Sequence, residues 1–465
     1  MKKFDVLIIG AGSAGLTALG KLKHTLNVAL INAGPYGTTC ARVGCMPSKI
    51  LIQIAEDYHR ANQLKSMNLI ETKIGAINSA EVMAYMRSMR DKFVEGTNRP
   101  LLELGENKID GAAVFIDKNT VQVGENLYQA KHIILSVGSR PFIPDSWKEF
   151  GESIITSDEV FELEAIPSKI AVIGLGAIGL ELGQTFHRLG STVTGFDLAN
   201  TIGGITDPEV SKEAINQIRK EFSIHLGSEV DLKRIASGIE VSNGTQTVVV
   251  DKVLVSMGRK SNTPSTKLSE IGIECNENGL PLNINPLNLN IPGTNVYVAG
   301  DANGIRPILH EASDEGRMVA ESILKDEILS FKRKTSMGIC FTAPQIISVG
   351  KKWADIKDYS NLITAKEYFT MGRAKVIRES GVMNIYGDKS NGRILGAEMV
   401  GPQVEHLAHY LSLAIENKLT VTDLLQSPIY HPTIEESLRS ALRSLAKGVE
   451  GEEVTEICCL NSWTK

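Results

Sequence analysis

Val6-Leu7-Ile8-Ile9-Gly10-Ala11-Gly12-Ser13-Ala14-Gly15 places a short apolar run directly before a G-x-G-x-x-G turn. The run breaks at Gly10, so it reads as a buried strand and not as a secretory segment. In this setting Gly10 permits a tight turn and Gly12 lets a pyrophosphate approach backbone N–H groups. Gly15 lets the following helix pack closely on the strand, and the N-terminus of that helix faces the phosphate charge. Phe4 to Ile31 therefore reads as strand, turn, helix and strand, a dinucleotide-binding unit.

The pattern returns from Lys169. Ile170 to Ile173 lead into Gly174-Leu175-Gly176-Ala177-Ile178-Gly179, and the next strand, Thr192 to Phe196, ends beside Asp197. An acid about 20 residues past such a turn accepts bonds from a ribose 2′-OH. No Arg or Lys between Asp197 and Thr206 is present to hold a 2′-phosphate, so this unit favours NAD over NADP. Asn32 stands at the matching place of the first unit, a weaker ribose acceptor than a carboxylate. One glycine fingerprint is a weak signal and Asp197 alone could simply end a strand. Two copies, each behind an apolar strand, point to an internal duplication.

A chain of 465 residues exceeds one hydrophobic core, and roughly three domains are expected. The net charge of -5 argues against a nucleic-acid-binding surface. No stretch is apolar enough for a membrane span, so neither a membrane nor a nucleic acid is an expected partner, and a cytoplasmic location is expected. The six cysteines are too sparse for a secreted disulfide scaffold; the close pairs Cys40/Cys45 and Cys458/Cys459 suggest redox or metal chemistry. Lys49 to Leu104 is helical in composition and Gly111 to Val137 is strand-rich. Pro141, Pro144 and Asp145 mark a loop and a boundary. Beyond Ser336 come strands at Val382–Tyr386 and Ile394–Val400, then amphipathic helices at His406–Asn417 and Ile434–Leu445, with no nucleotide signature.

Cys40 and Cys45 flank Ala41-Arg42-Val43-Gly44 and precede Met46-Pro47-Ser48-Lys49. Five positions apart on a regular helix is a poor disulfide geometry. Pro47 disfavours regular helix through Val43 and Gly44 allows a sharp bend, so a loop that closes the pair is expected. No nearby Cys or His completes a four-ligand set, and no metal site is expected. Arg42 is suited to lowering a thiolate pKa or meeting an anionic substrate, but reads most simply as a solvated loop charge.

With these motifs in this order, the chain resembles the pyridine nucleotide-disulfide oxidoreductases over nearly its whole length, most closely the dihydrolipoamide dehydrogenase branch. Ser136-Val137-Gly138-Ser139-Arg140-Pro141 is similar to the family's T-G-S-R-P turn, and Gly258-Arg259 through Asn262-Thr263 to its G-R-x-x-N-T loop. Asn295 to Asp301 resembles the strand whose Asp contacts the FAD ribityl chain. Leu309-His310-Glu311-Ala312 with Glu315-Gly316 resembles the helix that follows, and Phe341-Thr342 opens the dimerisation domain.

The resemblance implies an α/β fold of two Rossmann-like dinucleotide-binding domains plus a C-terminal α+β dimerisation domain. The FAD-binding domain would occupy 1–145, the NAD-binding domain 146–264, the second part of the FAD/central domain 265–335, and the dimerisation domain with its tail 336–465. FAD and NAD are the implied cofactors, and a homodimer the implied assembly. Gly10, Gly12, Gly15, Asn32, Thr39, Gly138, Gly174, Gly176, Gly179, Asp197, Gly258 and Asp301 form the implied cofactor-binding set. Cys45 would be the charge-transfer thiolate beside the flavin, and Cys40 the interchange thiol that meets a small dithiol, disulfide or lipoyl-domain substrate. Lys49 would lie near flavin N5, paired with Glu181; otherwise both are surface charges.

Tyr430-His431-Pro432-Thr433-Ile434-Glu435-Glu436 resembles the family's H-P-T-x-x-E segment. It implies His431 of the partner subunit as general base for the interchange thiol, oriented by Glu436. Imidazole suits this because its pKa lies near working pH. Thr433-x-x-Glu436 also reads as a capping box, and the two readings are compatible. Ile429 replaces a second His typical of the branch; with Asn32 and Ala41-Arg42, this departure leaves the lipoyl substrate open.

Four functions compete. Pro47-Ser48-Lys49 favours dihydrolipoamide dehydrogenase over glutathione reductase and large thioredoxin reductase, whose motif usually ends P-K-K. Cys458-Cys459 invites a relay of the thioredoxin-reductase or mercuric-reductase type, though His431 counts against the mercuric version and a frayed tail is the plainer reading. A non-catalytic binding subunit would not need Cys40, Cys45, Lys49, His431 and Glu436 together. A flavin NADH oxidase would not need His431.

Overall fold

The computed structural model describes residues 1–451 and Glu456. Strand β1 (Lys2–Ile9) buries Val6 to Ile9 and runs into Gly10, whose φ of 108° suits only glycine. A Cβ on Gly10 would lie 2.3 Å from the Ser136 carbonyl oxygen. The chain continues through α1 (Ser13–Leu22), β2 (Val28–Asn32), α2 (Thr39–Val43), α3 (Cys45–Ser66) and α4 (Ser79–Asn98). Then follow β3 (Lys108–Asp110), β4 (Ala113–Asp117), β5 (Thr120–Val123) and β6 (Asn126–Leu135). These strands line up as β3-β2-β1-β6-β5-β4, with β1 parallel to both β2 and β6. Chain direction diverges from β1 to its two neighbours, which opens a crevice at the strand's C-terminal end where nucleotides bind.

Next come β7 (Ser139–Pro141), β8 (Ile154–Ile155), α5 (Ser157–Val160), β9 (Lys169–Ile173), α6 (Ala177–Arg188), β10 (Thr192–Asp197), α7 (Pro208–Arg219) and β11 (Ser223–Leu226). A three-stranded layer follows, β12 (Asp231–Ile235), β13 (Gly238–Ser242) and β14 (Thr247–Val250), then β15 (Lys252–Val255) and β16 (Arg259–Ser261). The parallel sheet β11-β10-β9-β15-β8 repeats the order β3-β2-β1-β6 of the first unit, so the duplication extends from sequence to topology. Around Pro141 the structure differs from the expected loop. β7 pairs antiparallel with β16, aligning Pro141 with Arg259 and Ser139 with Ser261. Such a distant partner leaves no trace in the local pattern.

β17 (Val296–Val298) returns the chain to the first sheet beside β6. α8 (Leu309–Leu324) then packs on α1 so closely that a Cβ on Gly316 would lie 2.3 Å from the Ala14 carbonyl oxygen. The last sheet is antiparallel, from β18 (Met337–Cys340), β19 (Gln345–Gly350), β20 (Leu362–Tyr368), β21 (Val382–Asp388) and β22 (Ile394–Gly401), ordered β18-β19-β22-β21-β20. Leu407 and Leu411 on one helix (Val404–Glu416) and Leu438 and Leu442 on another (Glu435–Ala446) are fully buried against it, at the four-residue spacing of a helix face.

One carboxylate joins this sheet to the second nucleotide unit. Glu398, fully buried on β22, accepts the backbone N–H groups of Thr206 and Asp207 at 2.8 Å each. It also accepts the Trp353 N–H at 3.2 Å, and Tyr386 donates its hydroxyl to Asp207 at 3.0 Å. Among the described residues no helix is long and apolar enough to cross a membrane.

Candidate active site

The redox pair is built on a break between two helices. Thr38 caps α2 by accepting the Ala41 N–H at 3.2 Å, and α2 ends at Gly44 with φ -138° and ψ -118°. A Cβ on Gly44 would lie 2.9 Å from the Thr39 carbonyl oxygen and 3.1 Å from the Cys40 Cα. The expected loop is thus replaced by two helices abutting at a glycine. Pro47 falls in the first turn of α3, where its missing N–H has no helical partner to lose.

Across this break Cys40 and Cys45 stand as free thiols within hydrogen-bonding reach. Cys45 is lowered to about 7, chiefly by the Cys40 thiol donating to it and further by the Lys49 charge, against the opposing cost of burial. Cys40 is raised by the same hydrogen bond and by burial. The pair therefore loses its first proton more readily at Cys45 than at Cys40.

Lys49, one turn along α3, meets Glu181 of α6 at 2.6 Å. Glu181 is buried and also accepts the Ser48 hydroxyl at 3.1 Å and the Phe341 N–H at 2.9 Å. Lys49 and Glu181 thus stand together as an ion pair, and Phe341, just past β18 of the last sheet, supplies a further donor to the carboxylate.

A cleft of about 300 Å³ joins the cysteines to both fingerprints. Gly12 begins α1 with no side-chain cap, leaving first-turn N–H groups for an anion. Gly12, Thr39, Gly138 and Asp301 line the same cleft as Cys45 and Lys49. Asp301 accepts the Ser139 hydroxyl at 2.8 Å, and Arg259 donates to that hydroxyl at 2.7 Å. Phosphate donors at one end and an ammonium with a thiolate at the other fit a flavin dinucleotide.

The second fingerprint reaches the cleft through Ala177, Ile178 and Glu181. Gly174 has a φ of 94°, and a Cβ on Gly179 would lie 2.0 Å from the Gly174 carbonyl oxygen, so both glycines are fixed by packing. A Cβ on Gly176 or Gly258 would meet nothing within 4 Å, which leaves the path beside the turn open. Asp197 sits at the end of β10, as expected.

Sequence reasoning missed the bracing role of two serines. The Ser136 hydroxyl donates to the Ile9 and Gly10 carbonyls at 3.1 and 3.0 Å, and the Ser256 hydroxyl to the Ile173 and Gly174 carbonyls at 3.1 and 2.6 Å. Each pins its fingerprint to the neighbouring strand. Their signal was a repeated Ser-x-Gly, Ser136-Val137-Gly138 and Ser256-Met257-Gly258.

His431 does not line the cleft of its own chain. Its side chain is 77% exposed, with Nδ1 3.0 Å from both Glu436 carboxylate oxygens. Glu436 is lowered chiefly by this bond. The capping box is only half formed: Thr433 gives its N–H to Glu436 at 3.3 Å, but its hydroxyl turns back to the Tyr430 carbonyl and the helix starts at Glu435.

Arg42 also departs from expectation. It is half-buried, and its Nε finds no acceptor among the described residues. Burial raises the nearby Asp158 carboxyl, against the pull of Arg259 and Arg42. Cys458 and Cys459 lie outside the described residues.

Residues 4–316 match the family model described as pyridine nucleotide-disulphide oxidoreductase, and residues 336–442 match the dimerisation domain of that family. A mercuric reductase of Lysinibacillus sphaericus is 29% identical over 96% of this chain and 83% of its own length. Dihydrolipoyl dehydrogenase 2 of Haloarcula marismortui is 28% identical over 97% of both chains. The fold is also that of the HOCl-induced flavoprotein disulfide reductase RclA from Escherichia coli, in its Cu(II) complex, with a TM-score of 0.84 at 22% identity over 96% of this chain and all of the other. From the cysteine pair, the two fingerprints and these matches, the chain belongs to the pyridine nucleotide-disulphide oxidoreductases, flavoprotein enzymes that work with FAD and a nicotinamide nucleotide.

Proposed function

We propose that the chain is an NAD-linked dithiol dehydrogenase of the dihydrolipoamide type. The observation that carries this reading is the Cys40–Cys45 pair standing with Lys49 in a cleft shared by both fingerprints. With the pair oxidised, one substrate thiolate attacks the Cys40 sulfur and displaces Cys45 as thiolate. The second substrate sulfur then attacks that mixed disulfide, closes the substrate disulfide and releases Cys40, which takes up a proton. The substrate has lost two electrons and the cysteine pair has gained them. Bound FAD supplies a two-electron carrier between the pair and the nicotinamide.

In this reading His431 of the partner subunit takes the substrate thiol proton and returns it at Cys40. The exposed imidazole, already held by Glu436, supports that role because it faces outward from its own chain, as a homodimer requires. Asp197 selects NAD by accepting ribose hydroxyls and repelling a 2′-phosphate. The test is turnover of dihydrolipoamide with NAD, against oxidised glutathione, thioredoxin and Hg(II) with either reduced nicotinamide. Lipoamide turnover at least tenfold above the others is expected, on the scale of one good contact; a dominant activity with another substrate would replace the reading.

One observation favours a second reading, a relay through Cys458-Cys459. Arg443, on the helix that starts at Glu435, pairs with Glu456 at 2.6 Å. Mercuric reductases are among the relatives. Loss of thioredoxin or Hg(II) reduction, but not of lipoamide turnover, on removing Ile457–Lys465 would establish the relay.

A further inference from the structure

We propose that Phe341 is a positioning residue for the redox pair: its main chain holds Glu181 and its ring holds Lys49, so the last, antiparallel sheet fixes the charge facing Cys45. The inference rests on the functional reading above, because it assigns Lys49 to the thiolate.

Phe341 directly follows β18, whose last residue, Cys340, is 2% exposed and pairs in register with Ile346. Its backbone is thus anchored in the antiparallel sheet. From there the N–H donates to one Glu181 oxygen at 2.9 Å, while the other Glu181 oxygen accepts Lys49 at 2.6 Å. The Lys49 ammonium also lies 4.2 Å from the centre of the Phe341 ring. One residue therefore grips both partners of the ion pair, the carboxylate by a hydrogen bond and the ammonium by the ring face.

The ring has no other evident task. It is only half-buried, and the apolar clusters of the described residues do not include it. Lys49 has a flexible four-carbon stem and is itself 32% exposed, so Glu181 alone leaves it free to pivot about a single contact. A ring face adds a second, directional contact and narrows the ammonium to one place. That place matters because the Lys49 charge helps hold Cys45 ionised.

The test uses the Cys40→Ser holoenzyme, where Cys45 is the remaining thiol of the pair and long-wavelength absorbance against pH reads its ionisation. Adding Phe341→Leu should lower the Cys45 ionisation constant about threefold to tenfold, the scale of a lost cation–π contact. Phe341→Tyr should restore it. In a Lys49→Met background, Phe341→Leu should add nothing, because the group it positions is gone. Phe341→Met serves as the second apolar replacement if the leucine protein does not fold. An ionisation constant within twofold of the parent for both replacements, or an equal shift with Lys49→Met present, overturns the proposal. A Cys40→Ser parent with no flavin or no absorbance would overturn the functional reading and this inference with it, and is recognised before Phe341 is changed.

Discussion

Asn32 and Asp197 perform the same structural task in the two duplicated units. Each ends the second strand of its unit and accepts the N–H of the residue after the first fingerprint glycine. Asn32 takes the Ala11 N–H at 3.1 Å and Asp197 the Leu175 N–H at 2.5 Å. The Asn32 amide nitrogen is further committed to the Gly34 carbonyl at 3.2 Å, and the second Asp197 oxygen accepts the Ala199 N–H at 2.8 Å. Brace and ribose acceptor are therefore separable roles, and an amide suffices for the first.

This gives a clean nucleotide test. Asp197→Asn retains an acceptor for Leu175, as Asn32 does for Ala11, but loses the charge. The wild type should prefer NADH over NADPH, and the variant should lose about tenfold in kcat/KM for NADH, on the scale of a hydrogen bond to a charged group. It should lose little for NADPH. An unchanged ratio of the two kcat/KM values would remove Asp197 from the ribose.

The split of the cysteine pair predicts a spectroscopic asymmetry. Two-electron reduction of the holoenzyme should produce a long-wavelength charge-transfer band, which Cys45→Ser should abolish. Cys40→Ser should show such a band before any reduction. Persistence of the band without Cys45 would exchange the roles of the two residues.

The same band should depend on pH in one direction. Cys45 is lowered to about 7, so its thiolate is present above that value and is protonated as pH falls through it. Absorbance should be full in mild alkali and disappear in mild acid, as a titration of the reduced holoenzyme reads directly. A band that strengthens on acidification would contradict the assignment.

His431→Ala should slow the thiol–disulfide half-reaction about 100-fold or more, the usual scale for a lost general base. Flavin reduction by NADH, followed by stopped flow, should change little. Glu436→Gln should have a milder effect on the first half-reaction alone, because it orients the ring without carrying the proton. Equal slowing of both half-reactions would make His431 structural.

Gly44→Ala should damage the site through its backbone. The added Cβ meets the Thr39 carbonyl and the Cys40 Cα, neither of which moves without shifting α2. A loss of about 1–3 kcal/mol in stability is expected, with a weaker charge-transfer band. Thermal denaturation and absorbance of the same sample measure both.

Both fingerprints and two of the five strands of the last sheet, β21 and β22, were legible as local patterns of apolar residues and glycine, and the cysteine pair by its close spacing. What escaped reading was what depends on distant chain. β7 and β16 pair only because two loops meet, and neither carries a strand's alternation. Phe341 was read only as opening the dimerisation domain, and its place over Lys49 comes from the fold. Gly44 advertised a bend, but not that ordered helix would resume at the next residue, since Pro47 looks like a breaker until it is known to occupy a first turn. His431 was legible by its resemblance to the family segment, whereas its outward orientation follows only from the packing of the last helix.

Glu398 has a consequence for how the second nucleotide unit can move. A rigid swing of the second nucleotide unit away from the antiparallel sheet would strand a buried carboxylate and break its bonds to the Thr206 and Asp207 amides. Uncovering that charge within a half-open seam is costly, so the seam resists hinge opening. The second fingerprint is therefore held at a fixed distance from the antiparallel sheet. Ile178, 41% exposed, stands on the cleft wall within that closed frame.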